Sequence, residues 1–161
     1  MKQRVVLSAF SLITTIICNS VFVICFFLNE PPLYVKIVLA CILVPLLVAG
    51  LFYMPLSIAA DKYAIYVNRS LKINTIPLNE VKSVRLCPPT MGAIRICGSG
   101  GFMGYWGWFR ERDLGRYFAY YGRSSDCFLV ELKDGHKYLL GCNNPQKMVD
   151  YIKSNLPKQQ Y

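Results

Sequence analysis

The sequence is poor in the side chains that most catalytic and metal sites require. It has one histidine, His136, and its seven cysteines never form a Cys-x-x-Cys pair. That spacing excludes the common zinc and dithiol motifs, and a lone imidazole directly after the Asp134-Gly135 turn reads as an exposed strand residue rather than a general base. Gly-Lys-Ser and Gly-Lys-Thr are absent, so there is no P-loop to grip a nucleotide. Acidic side chains number only 9 against 18 Lys and Arg. Glu111 and Asp113 lie close together, but Arg110, Arg112 and Arg116 surround them, and the group reads as a solvated charged loop. These absences nominate no catalytic residue, cofactor site or metal site, and the chain reads as a non-enzyme.

Charge is missing from two long stretches, Val5 to Leu28 and Ile37 to Ala60. Each can cross a bilayer core of about 30 Å as a helix with some tilt. Lys2 and Arg4 ahead of the first stretch imitate a signal peptide, yet the apolar run is too long for one and a second run follows. Asn29-Glu30-Pro31-Pro32-Leu33 reads as the turn between two antiparallel spans. The expectation is a membrane anchor over residues 1–60, with helices about 5–28 and 37–58. Pro45 and Pro55 would kink the second helix, unless Pro55 marks its exit.

Fifteen of the 18 Lys and Arg follow Ala60, so both termini are expected in the cytoplasm. Neither span holds an Asp, Glu, Lys, Arg or His, which speaks against a transporter or proton relay. Ser8, Ser11, Thr15 and Asn19 recur near helical spacing, a stripe that would suit a subunit of a larger membrane complex. The cysteines read as reduced, buried, small apolar residues.

After Asp61 the pattern changes to short alternating runs bounded by turn residues. Tyr63–Val67 and Leu71–Thr75 flank Asn68-Arg69-Ser70 as a hairpin, and Val81–Leu86, Ala93–Cys97 and Arg116–Tyr121 follow as strands. Phe128–Leu132 and Tyr138–Leu140 flank Asp134-Gly135. Asn144 is an N-cap with Pro145 in the first helical position, and Met148, Val149, Ile152 and Leu156 make one apolar stripe that ends at Pro157.

Together these pieces, the Tyr63–Leu86 region with Ile76-Pro77-Leu78-Asn79-Glu80-Val81, the Ile94–Phe109 segment, Leu114-Gly115 and the final hairpin with its Asn144-Pro145 helix, resemble the bacterial pleckstrin-homology-like (PH-like) domains over about residues 55–156. The resemblance implies a mainly β (α+β) domain over 61–161: a bent antiparallel barrel of about seven strands closed by a C-terminal helix. With the helical pair in front, the fold class is a two-helix transmembrane hairpin followed by that domain. Members often sit behind membrane helices, which implies a multi-pass protein of the bacterial inner membrane. Eukaryotic relatives bind phosphoinositides near the first hairpin, but here that turn offers only Arg69 and Lys72 and the activity is not carried over.

The most specific part of the resemblance is Gly98 to Gly115, with six glycines and five aromatics in 18 residues. Its spacing, Gly98-x-Gly100-Gly101-x-x-Gly104, departs from the dinucleotide fingerprint and no helical pattern follows. Three readings stand. Gly98, Gly100, Gly101, Gly104 and Gly107 can permit close strand crossing while the aromatics fill a core. Alternatively, Phe102, Tyr105, Trp106 and Trp108 with Arg95, Arg110, Arg112 and Arg116 can form a surface for anionic lipid or a protein partner. In the third, residues 95–112 serve a small-molecule sensor or enzyme. Residues 61–161 carry 15 basic and 8 acidic side chains, net +7, but no reading helix or RNA motif, so no nucleic acid partner is expected. The function expected is a non-catalytic module, held to the bilayer by two helices, that binds a protein or the membrane surface.

Overall fold

The computed structural model describes residues 1–28, 32–90 and 92–156. Asn29, Glu30 and Pro31 of the expected turn, and Pro157, lie outside the described residues.

Helix α1 spans Ala9–Val23 and continues as a π-helical turn over Ile24–Leu28, and α2 spans Leu33–Tyr53. Both are long and apolar enough to cross a membrane. Their ends differ from the expected 5–28 and 37–58 for local reasons. Ser8 caps α1 by accepting the Ser11 N–H at 3.1 Å, so Val5 to Leu7 stay outside the helix. Lys36 falls inside α2, with its ammonium 5.8 Å from the Phe26 ring, because a long basic stem tolerates a helix end. The chain leaves α2 at Met54, since the residue before a proline is pushed towards extended geometry, and Pro55 opens a strand.

Ten strands form two sheets: eight lie within 61–161, where about seven were expected, and two, Lys2–Arg4 and Pro55–Ala60, lie in the stretch expected to be anchor. The first has the order β1 (Lys2–Arg4), β2 (Pro55–Ala60), β3 (Ala64–Arg69), β4 (Ile73–Pro77). The second contains β5 (Val81–Leu86), β6 (Ile94–Gly101), β7 (Gly104–Glu111), β8 (Gly115–Tyr121), β9 (Cys127–Leu132) and β10 (Lys137–Gly141), in the order β5-β9-β10-β8-β7-β6. The additional strands are β1, β2 and β7. An antiparallel helix pair returns the chain beside its own start, so β1 pairs with β2 through Lys2↔Ala59, Gln3↔Ile58 and Arg4↔Ser57. Three polar residues carry no alternating signal, which hid β1. The N-terminal ammonium also donates to the Ala60 carbonyl at 2.5 Å.

The main core lies between the sheets and under α3 (Pro145–Asn155), whose Met148, Val149 and Ile152 are buried against Ile58, Ile65, Phe128, Val130 and Leu140. A second core on the other face of the larger sheet holds Phe109, Tyr117, Ala119, Tyr121, Cys127, Leu129 and Leu139. Because β5 and β6 occupy opposite edges of that sheet, the segment joining them must cross it. It is pinned on this second face by Glu111, whose Oε1 accepts from the Thr90 N–H and hydroxyl.

Candidate interaction surfaces

The glycine-aromatic segment is a β-hairpin, β6 and β7, that divides into two unlike halves. In the half nearer the helices, Gly98 and Gly107 face each other in register, with φ of 127° and 117°. A Cβ on Gly98 would sit 2.7 Å from the Gly107 Cα and collide with the Trp106 carbonyl. The strands can approach this closely only without side chains. Gly101, Met103 and Gly104 take positive φ through the turn, and Ser99 donates its hydroxyl to the Phe102 carbonyl at 2.7 Å.

That turn is docked between the helices. The Ser11 hydroxyl donates to the Gly101 carbonyl and accepts the Gly104 N–H at 2.9 Å, while Thr15 Oγ1 accepts the Met103 N–H at 2.9 Å. From the other side, a Cβ on Gly50 would lie 2.6 Å from Met103 Sδ and 3.2 Å from the Phe102 ring. Ser11 and Gly50 are the buried residues of α1 and α2 respectively. Trp106, 7% exposed, stacks on Tyr53 at the end of α2, with centroids 5.1 Å apart. The polar stripe on α1 is therefore occupied within the chain: Ser8 caps, Ser11 and Thr15 hold the hairpin, and Asn19 donates to the Thr15 carbonyl.

The other half is open. Trp108 is half-buried, edge-on to Phe118 at 5.1 Å, with the Arg116 guanidinium 4.3 Å from its ring. Arg110 and Arg116 sit directly opposite each other, Arg112 lies in the following turn, and all three are exposed. Among the described residues the charged pairs are Lys82–Glu131 and the His136–Asp134 contact, so these arginines have no acidic partner there. Glu111 is not the solvated carboxylate expected: it is 3% exposed, because its side chain turns inward to Thr90. Cys97 is exposed on β6, unlike the buried Cys127 and Cys142. Burial pushes the Cys142 thiol up to about 11 and Cys127 higher still, so neither is a ready thiolate.

Arg95 and Gly100 line a groove of about 480 Å³ over the second core, together with Thr90, Tyr105, Tyr121 and Ser124. Tyr105 and Tyr121 stack there at 4.8 Å. Burial raises the Tyr121 phenol far above its ordinary value. No group of three or more metal-ligating side chains occurs among the described residues.

A second concavity, of about 660 Å³, was not visible in the sequence. Lys2 and Arg4 from β1 meet Arg69 and Lys72 from the β3–β4 hairpin, around Ser57, Asn68 and Ser70. Arg69 is fixed at its inner wall: its guanidinium lies 5.5 Å from both the Tyr53 and Tyr120 rings and donates to the Tyr120 hydroxyl at 3.2 Å. Burial pushes that phenol up to about 12, with Arg69 partly opposing the shift. Leu71, 63% exposed, and Ile73, 56% exposed, flank the basin. The sequence signal was the Lys-x-Arg alternation at residues 2 and 4, which presents both cations on one side of a strand only if a strand forms there.

No curated protein and no solved structure matches the chain. The family model for the bacterial PH domain matches residues 56–156, from β2 through α3, and so covers the larger sheet, the glycine-aromatic hairpin and the Arg69–Lys72 side of the basic basin, but not β1 with Lys2 and Arg4. The chain belongs to the bacterial PH domain family.

Proposed function

We propose that this protein is a non-catalytic, membrane-anchored PH-like module whose basic basin engages the anionic lipid surface beside its own anchor. In this reading α1 and α2 cross the bacterial inner membrane, and the domain and both termini lie in the cytoplasm. The β1–β2 pairing supports it, because residues before α1 and after α2 then lie on one side of any bilayer the helices cross. The excess of Lys and Arg after the second helix supports the cytoplasmic side.

The observation that carries the lipid reading is convergence. Four cations that are remote in sequence, Lys2, Arg4, Arg69 and Lys72, gather at the end of the domain where α2 exits. Arg69 pairs across the sheet with Pro55, two residues after α2 ends, and touches Tyr53 within it. Exposed Leu71 and Ile73 beside Lys72 give the mixture of apolar and basic groups that suits the headgroup layer. Near an anionic leaflet each cation contributes on the order of 1 kcal/mol, and the tether keeps the local lipid concentration high.

The test is quenching by lipid. A Trp at Leu71→Trp in the full chain, read as the difference from the parent, should be quenched more by brominated phosphatidylglycerol than by brominated phosphatidylcholine, and Arg4→Glu with Lys72→Glu should abolish the difference. Equal quenching by both lipids in the parent basin would sink the lipid reading. A small-molecule role has one specific location, the Arg95–Tyr105–Tyr121 groove, and the accessory-subunit reading loses the α1 stripe as its support.

A further inference from the structure

The open half of the hairpin lies well away from the turn docked on the helices. Gly104 touches α1 through Ser11, whereas Arg110 is six residues further along β7, roughly 20 Å at about 3.3 Å per residue. That is about two screening lengths at physiological salt, so the arginine end acts independently of the helix-bound end.

Two features of this end need a common account. The first is the charge. Arg110 faces Arg116 across the β7–β8 ladder, a like-charge arrangement that weakens a sheet, and Arg112 adds a third cation within the turn. The second is the edge. β6 is the last strand of the larger sheet, with β7 as its partner and its outer side unpaired among the described residues. Ile94, directly opposite Arg110, is 68% exposed, and Ile96 is 51% exposed. A register shift between Arg95 and Cys97 displaces Ile96 from the β7 ladder. An exposed edge with apolar side chains is a template for an added strand.

We propose that the outer edge of β6, with Arg110, Arg112 and Arg116, docks an acidic, extended segment of a partner protein, which adds as a strand. The charge selects the occupant. A second copy of this chain pairing through β6 would bring Arg95 and the three arginines near their own counterparts, which repels. A nucleic acid would satisfy the cations but neither the strand-edge amides and carbonyls nor Ile94 and Ile96. An acidic peptide satisfies both: its backbone completes the edge and its carboxylates meet the guanidiniums.

The experiment uses the full chain in phosphatidylcholine nanodiscs and a fluorescent seven-residue peptide alternating Glu with Ile or Val, followed by anisotropy. Arg112→Glu or Arg110→Glu should weaken binding about tenfold, and Lys72→Glu in the basin should change it by less than about twofold. The same peptide methylated on alternate backbone nitrogens should lose about tenfold, because strand addition needs its N–H groups. No peptide binding, an unchanged affinity in both arginine variants, or equal binding by the methylated peptide or a single-stranded oligonucleotide of the same charge would each overturn the proposal.

Discussion

The two halves of the β6–β7 hairpin both carry aromatics, but all five of its glycines lie in the half nearer the helices, and the halves lead opposite physical lives. Near the helices, Phe102 and Trp106 are buried, the strands touch at Gly98 and Gly107, and the turn's polar groups are bonded to Ser11 and Thr15. At the far end, Trp108 is half-buried under Arg116, and Arg110, Arg112 and Ile94 face solvent. The difference teaches that one motif can divide its labour. The first half joins the domain to the two apolar helices, and the second is left with costs that only solvent or a partner offsets.

The comparison breaks most visibly at the glycines. Gly107→Val should destabilise the chain by about 3–5 kcal/mol, since its Cβ would collide with the Cys97 carbonyl at a φ of 117° that branched residues avoid. Gly115→Ala, at a φ of 71° with nothing within 4 Å of the added carbon, should cost only about 1–2 kcal/mol. Denaturant unfolding in detergent compares them directly. Equal losses would remove the distinction between a strand crossing and an ordinary turn.

A smaller effect tests the joint with the helices. Ser11→Ala removes the hydroxyl shared by the Gly101 carbonyl and the Gly104 N–H, leaving both buried groups unpaired, and should cost about 2–3 kcal/mol. Thr15→Val loses one bond, to the Met103 N–H, and should cost about 1 kcal/mol. Hydrogen exchange should accelerate at Gly104 in Ser11→Ala and at Met103 in Thr15→Val. Unchanged exchange would mean that the hairpin turn is held by its apolar contacts with Gly50 alone.

Much of this arrangement could be read from the chain, and the limits follow from which signals are local. The β3–β4 and β9–β10 hairpins and α3 were legible because alternation, Asp134-Gly135 and the Asn144-Pro145 cap act within a few residues. β7 was hidden because glycines interrupt its alternation, and β1 because three residues cannot show a period. The reading of 1–60 as anchor alone consequently missed β1 and β2, the strands that tie the helices to the first sheet. The basin required the fold itself, since Lys2 and Arg69 meet only after the helical pair brings β1 beside β2. Glu111 was misread because a carboxylate flanked by arginines in sequence gives no hint that strand alternation turns it inward, away from them.

The smallest predicted effect is the most discriminating, because it has the opposite sign. Arg110 stands across from Arg116 without an acidic partner among the described residues, whereas Arg116 also gains from the Trp108 ring at 4.3 Å. Arg110→Thr removes the like-charge pair and places a β-branched residue on a strand, so stability should rise by about 0.2–0.5 kcal/mol. Arg116→Gln loses the cation–π contact while relieving the same repulsion, and should be close to neutral, within about 0.5 kcal/mol. Lowering the salt concentration should enlarge the Arg110→Thr gain, because the repulsion it removes is then less screened. A loss of stability in Arg110→Thr would show that the arginine end contributes to the fold as the glycine end does, and the division between the two halves would disappear. A salt-sensitive gain would show that Arg110 is held at a cost to the free protein, as expected for a residue whose favourable contact lies on another molecule.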